Sequence, residues 1–264
     1  MLVKDILNCI TEVAPLHWQE SYDNAGLQVG DLNAETNNAL ICLDITEKIV
    51  DEAIAKHCDL IVSHHPLIFR GLKHLTPETY IERAVMKAIK HDIAMISMHT
   101  NLDNSYLGVN RMLAERLGLH DLQLLQPSEC EPEICGAGMV GTFENSMEEV
   151  DFLQLVSDTI GSPCLRHSAL TGRKIQKVAL CGGSGSPFFA DAVRQEADAY
   201  LTADIKYHDF FLPEGGMLLV DGGHFETEQF TKELICALIQ KKFPNFAAEI
   251  AETRTNAVYY FVKN

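Results

Sequence analysis

The chain has no long hydrophobic run. Nowhere do its 264 residues hold the roughly 20 consecutive apolar residues that span a bilayer. The amino-terminal MLVKDILNCITEVAP alternates apolar and charged residues at helical spacing, and it lacks the continuous apolar segment and cleavage site of a secretory signal. Positive charge is scarce: 21 Lys and Arg stand against 37 Asp and Glu, a formal net charge of −16. Phosphate backbones and anionic membranes repel such a surface, which argues against non-specific nucleic-acid or membrane binding. No CxxC pair occurs among the eight cysteines, and Cys130 and Cys135 lack zinc-knuckle spacing. Several of the eight fall in apolar strands or helices, so they read as free thiols of a cytoplasmic protein.

What is present is a run of short apolar segments alternating with amphipathic ones. ALICLD (39–44), DLIVS (59–63) and IAMISM (93–98) read as strands, with helices between them over EKIVDEAIAKH and about 77–90. Strands joined by crossover helices imply an α/β architecture, with mainly parallel sheets and helices on the faces. The stretch 123–141, with Pro127, Pro132, Gly136, Gly138 and Gly141, reads as a boundary between lobes. This sets a first α/β lobe over 1–125 and a second over 126–264, with the last strand free to return to the first. The second half repeats the first: KVALC, DAYLT and MLLVD are strands, and Cys181 to Asp198 spans the same 17 positions as Cys42 to Asp59. The two lobes are therefore read as a degenerate duplication of one β-α-β-α-β unit.

The chemistry-bearing residues collect where strands end. His64 and His65 follow the second strand, His99 and Asp103 the third, and His224 and Glu228 the third strand of the second half. Ligands of open α/β sheets bind outside the carboxyl ends of the strands, so these groups can converge. Adjacent residues of an extended segment point to opposite sides, so one ion takes both His64 and His65 only if the chain bends. His224 and Glu228 stand i, i+4 on a helix and can face one direction. Imidazoles with carboxylates form a set for Zn²⁺, Mn²⁺, Fe²⁺ or Ni²⁺, and six candidates exceed the needs of one catalytic ion. A two-metal centre fits that surplus. His99 suits a ligand, a partner that orients one, or a proton carrier, and the partner is preferred. His208 is a weaker candidate acid or base. CGGSGSPFF places Gly183, Ser184, Gly185 and Ser186 between a strand and a helix, where backbone N–H groups could take a phosphate. It matches neither the P-loop nor GxGxxG.

GLQVG after Asp23-Asn24, IVSHHP, HTNLD, AYLTADIKYHD and GHFETE occur in this order from about Tyr22 to the end. Together they resemble the Nif-three-like dinuclear metal-binding family, many of whose members go by the name GTP cyclohydrolase 1 type 2. The resemblance implies metal ligands at His64, His65, Asp103, His224 and Glu228, two similar lobes enclosing two divalent ions per chain, and a hexameric ring. Ala203 departs from the glycine common in the family at that place. Longer members carry an additional domain in mid-chain, for which 264 residues leave no room. The function so implied is a dinuclear metal-dependent hydrolase acting through a metal-bridging hydroxide on a nucleotide or phosphorylated small molecule. GTP, opened at its imidazole ring, is the substrate by resemblance. A generic phosphoesterase, or a metal-binding regulatory or interaction protein without turnover, is the alternative.

Overall fold

A computed structural model describes residues 1–130 and 133–261, the side chains of 129, 130, 133 and 134 excepted. In chain order the elements are α1 (Val3–Thr11), β1 (Gly26–Val29), β2 (Asn38–Cys42), α2 (Glu47–Ala55), β3 (Leu60–Ser63), α3 (Tyr80–Lys90), β4 (Ala94–Ser97), α4 (Thr100–Asp103) and α5 (Val109–Arg116). There follow β5 (His120–Cys130), β6 (Glu133–Met147), α6 (Glu149–Ile160), β7 (Arg166–His167), β8 (Ile175–Leu180), α7 (Phe189–Arg194) and β9 (Ala199–Thr202). The chain ends with β10 (Leu218–Asp221), α8 (His224–Glu228), α9 (Thr231–Lys242) and β11 (Ala247–Ile250). Among the described residues no helix is long and apolar enough to cross a membrane.

By its contacts the chain forms two compact units, Met1–Leu102 with Thr231–Ala257, and Asp103–Phe230 with the segment from Val258 onward. The chain thus changes unit at 102/103, 230/231 and 257/258; the sequence reading sets its boundary at 125/126 and leaves the last strand free to return to the first lobe, where β11 pairs with β2. Of the proline- and glycine-rich stretch behind that reading, Pro132 lies outside the described residues, and 123–130 and 133–141 belong to the antiparallel pair β5 and β6. Its glycines serve close approach: a Cβ at Gly136 would strike the backbone at Gln126 and Pro127, and one at Gly141 would strike Leu122 and the His120 carbonyl.

The first unit holds a five-stranded sheet in the order β1-β4-β3-β2-β11. All its pairs are parallel except β1 with β4. Leu60, Ile61 and Val62 are fully buried, as an apolar run without alternation requires of a central parallel strand. The Thr46 hydroxyl caps α2 by accepting from Ile49 N at 3.3 Å, and Thr79 with Glu82 forms a capping box on α3. Both helices bury Ile49 and Ala84 against Ile61 and Met95 of the sheet. Helix α9 packs on α1, β2 and β11.

The second unit holds a six-stranded sheet in the order β5-β6-β8-β9-β10-β7. Only β8-β9-β10 are parallel and the other pairs are antiparallel, so this sheet is mixed where a mainly parallel one was expected. Alternate residues of the central strands serve opposite faces. Val178, Leu201 and Leu218 meet Phe152, Val156 and Ile160 of α6, while Ala179, Tyr200 and Leu219 lie with Ala192 of α7.

The repeat is visible in both units and starts one strand earlier than the sequence showed. Strands β1-β4-β3-β2 and β7-β10-β9-β8 have the same order and the same senses. Cys42 pairs with Ser63 and Leu180 with Leu201, 21 positions apart in each case. The halves differ at the second crossover, which is α3 in the first and a short 3-10 turn, Tyr207–Phe211, in the second. The cysteines need one correction. Cys9, Cys42, Cys58, Cys181 and Cys236 are free and buried and Cys164 is free and exposed, but Cys135 is disulfide-bonded.

Candidate metal centre

In the first unit three imidazoles gather at the carboxyl ends of β3 and β4. The chain bends at His64 and His65, so the rings lie side by side, with centroids 4.8 Å apart. That bend is the condition under which both can serve one ion. His99 completes the cluster at 5.4 Å from each. Each ring is fixed through Nδ1: His64 at 2.8 Å from the Met98 carbonyl, His65 at 2.7 Å from Asp44 Oδ1, and His99 at 2.7 Å from Asp23 Oδ1. Burial would raise the Asp23 carboxyl, but bonds from His99 and from the Thr100 hydroxyl outweigh it and hold the group at about 2. Asp44 is likewise lowered against burial, by His65 and Thr255.

In the second unit the donors stand on α8 and at the end of α4. His224 is the first residue of α8, and its Nε2 lies 3.0 Å from Glu228 Oε2 one turn on. Its Nδ1 lies 2.7 Å from Asp204 Oδ2. Burial pushes the imidazole down, yet Asp204 and Glu228 together draw it up to about 11. Asp103 is the last residue of α4, and its carbonyl accepts from Asn110 Nδ2 at 3.1 Å. Asp103 and Glu228 share a neighbour: burial raises the Cys181 thiol, and both carboxylates raise it further.

The loop 183–186 does something other than what its glycines suggested. Gly183 N donates to Thr227 Oγ1 at 3.0 Å and Gly185 N to Thr202 Oγ1 at 2.8 Å, so neither amide is offered to a phosphate. Gly183 has φ +60, and a Cβ there would overlap Glu228 Oε1; glycine makes room for the carboxylate. Ser184 is exposed, and Ser186 opens the 3-10 turn ahead of α7. His208 is exposed on the turn 207–211 between Tyr207 and Phe211, in ring contact with both. Asp44, Asp23 and Asp204 were not singled out from sequence. Two of them carried a readable signal, an acidic residue two positions beyond a parallel strand, since Asp44 follows Cys42 and Asp204 follows Thr202.

The donors suit divalent ions. They are imidazoles and carboxylates, and the Cys181 thiol near Asp103 and Glu228 has its pKa raised by burial and by both carboxylates, which disfavours the thiolate. Metal-bound histidines donate their other ring nitrogen to a carboxylate or carbonyl, and four imidazoles here are held that way, all through Nδ1. His64 and His65 in the first unit, and Glu228 in the second, are side chains of the kind that bind a metal ion.

The chain also has recognisable relatives. The family model described as Duf34/NIF3 (NGG1p interacting factor 3) matches residues 1–257. A Clostridium perfringens protein named GTP cyclohydrolase 1 type 2 homolog is 36% identical over 231 residues, covering 86% of this chain and 87% of the relative. A Streptococcus pneumoniae protein of the same name is 33% identical and covers 92% of each. Among solved structures, a Staphylococcus aureus protein, SA1388, superposes with a TM-score of 0.90 at 29% identity, over 99% of both chains. A Bacillus cereus protein related to NIF3 gives 0.92 at 24% identity, again over 99% of both, a likeness of fold.

Proposed function

The chain belongs to the Duf34/NIF3 family, and from that premise we propose that it is a dinuclear metal-dependent hydrolase acting on a nucleotide or phosphorylated small molecule. The observation that carries the metal half of this reading is the common anchoring of His64, His65, His99 and His224 through Nδ1, which presents the same nitrogen, Nε2, from every ring. His64, His65, Asp103, His224 and Glu228 would hold the ions. Two divalent ions supply Lewis acidity towards a carbonyl or phosphoryl oxygen and lower the pKa of water.

The chain's own groups do the rest. Asp44 and Asp204 fix the rings of His65 and His224, so that the donors need little reorganisation on binding. Asp23 keeps His99 in one orientation, which lets His99 Nε2 carry a proton beside the other two imidazoles. The hydrolase half is supported by the name the relatives bear, and GTP is the first substrate to try. We further propose that the protein works in the cytoplasm as a homo-oligomer, a hexamer by the family resemblance.

The test is a turnover screen. Purified protein of measured Zn²⁺ or Mn²⁺ content is incubated with GTP, other nucleotides and simple phosphoesters, and products are read by mass spectrometry. Consumption of one substrate, abolished by chelation and restored by metal, is the expected result. A metal-replete protein that consumes none of them would count against catalysis and in favour of a binding role.

A further inference from the structure

The connection from His65 to α3 covers residues 66–79 without regular secondary structure, a length usual for binding loops and uncommon for simple linkers. Its base is pinned. Leu67 is buried, Ile68 N donates to Gln28 Oε1 at 3.2 Å, and Asn24 Nδ2 donates to the Ile68 carbonyl at 2.6 Å. Beyond that clamp every residue from Phe69 to Leu75 is exposed. Three of the seven are large and apolar, Phe69, Leu72 and Leu75, and they are grouped in one loop, where scattered exposure would need no explanation.

Phe69 does not stand apart from the imidazoles. Its ring lies 6.1 Å from His99 at 82°, and the Tyr22 ring lies 6.3 Å from Phe69. Tyr22 directly precedes Asp23, which holds His99. The two rings are 63% and 42% exposed for Tyr22 and Phe69, so they offer an open aromatic edge continuous with the three-histidine cluster. The same loop exposes Arg70, next in sequence to Phe69, and Lys73, two cations on a chain of net charge −16. Aromatic rings and cations carried by one exposed loop match a planar base that carries phosphate, because stacking takes the ring and charge takes the anion.

We propose that Tyr22 and Phe69 form the stacking platform for the base of a nucleotide, with Arg70 and Lys73 receiving its phosphates. The proposal rests on the nucleotide branch of the function proposed above and names the residues that would recognise that substrate. The loop that begins at His65 then links base recognition to the metal ligands through one short stretch of chain.

Binding to zinc-loaded full-length protein, measured by calorimetry with GTP, guanosine and inorganic triphosphate, tests it. Phe69→Ala is expected to weaken GTP and guanosine by roughly tenfold or more and to spare triphosphate. Arg70→Ala combined with Lys73→Ala should weaken GTP and triphosphate and spare guanosine. Phe69→Trp, which keeps a stacking face, should retain guanosine binding. Unchanged guanosine affinity in Phe69→Ala overturns the proposal, as does a wild-type protein that binds no guanosine. If Phe69→Ala lowers the sedimentation coefficient while guanosine affinity holds, the aromatic edge faces a second copy of the chain and the proposal falls. It falls too if binding and assembly are lost together and Phe69→Trp does not restore binding. Phe69-dependent binding without turnover would remove the hydrolase reading alone. Turnover of GTP with unchanged KM in Phe69→Ala would remove the platform alone.

Discussion

His224 and Glu228 face each other across one helical turn, Nε2 to Oε2 at 3.0 Å, while Asp204 holds the opposite nitrogen of the same ring at 2.7 Å. A bound cation would replace the proton shared by that pair. Glu228→Gln keeps the volume and removes the charge, so the fold should survive and metal affinity should fall by at least roughly 10-fold. Elemental analysis during metal titration is the measurement. The wild type should saturate near two ions per chain, and a variant that still does so with wild-type affinity would show that Glu228 is not a ligand.

Gly183 is tied to the same carboxylate. Gly183→Ala adds a methyl group where Glu228 Oε1 lies, at a backbone φ of +60. The left-handed conformation alone costs about 1–2 kcal/mol for a residue with a Cβ. Thermal melting should show a lower Tm, and the displaced carboxylate should bring weaker metal binding with it. Gly172→Ala, at φ +73 in open space, isolates the backbone cost: it should lower Tm and leave metal content unchanged.

Glu149 gives a pH dependence unconnected with metal. Its carboxylate accepts from Thr171 N at 2.7 Å and Gly172 N at 2.9 Å and is 5% exposed. Burial raises its pKa, but the two amides outweigh burial and lower it below the ordinary 4.5. A depressed carboxylate contributes stability above its unfolded pKa and loses it as pH falls through the folded one. Glu149→Gln should therefore lower unfolding stability at pH 7 by about 1–3 kcal/mol. In urea titrations the gap between the two proteins should close below pH 4.5. A gap that stays constant down to pH 3 would exclude the carboxylate's charge as its source.

Assembly is the fourth expectation. Exposed Tyr207, Phe211 and Leu212 adjoin one another on the turn after β9, and a second copy of the chain is one surface that would cover them. Sedimentation velocity at micromolar concentration should show a homo-oligomer, a hexamer by the family resemblance. A single monomer boundary across accessible concentrations would count against it.

The central strands of both sheets were legible because they rest on local chemistry, apolar runs such as Leu60–Val62; the Thr46 cap of α2 and Gly161 in the left-handed conformation after α6 are local features of the same kind. The hairpin β5–β6 was not, since Gly136 and Gly141 read as breakers until the partner backbone pressing on them is known. The histidines were visible as residue types at strand ends. Their carboxylate anchors were not, because Asp23 lies 76 positions from His99 and nothing local records that pairing. At the loop 183–186 the reason is related: the Gly183 and Gly185 amides are taken by Thr227 and Thr202, hydroxyls from other elements.

Strand β11 pairs with β2, although more than 200 residues of chain separate them, and α9 travels with it into the first unit. On the ribosome, β2, β3 and β4 therefore emerge long before the strand and helix that complete their sheet. The second unit, translated in between, has nearly all its parts in hand first. During that interval the open side of β2 is an unpaired edge, a template for any passing strand. A nascent chain arrested before Thr231 should thus recruit holdase chaperones at β2, β3 and β4, and translation through α9 and β11 should release them.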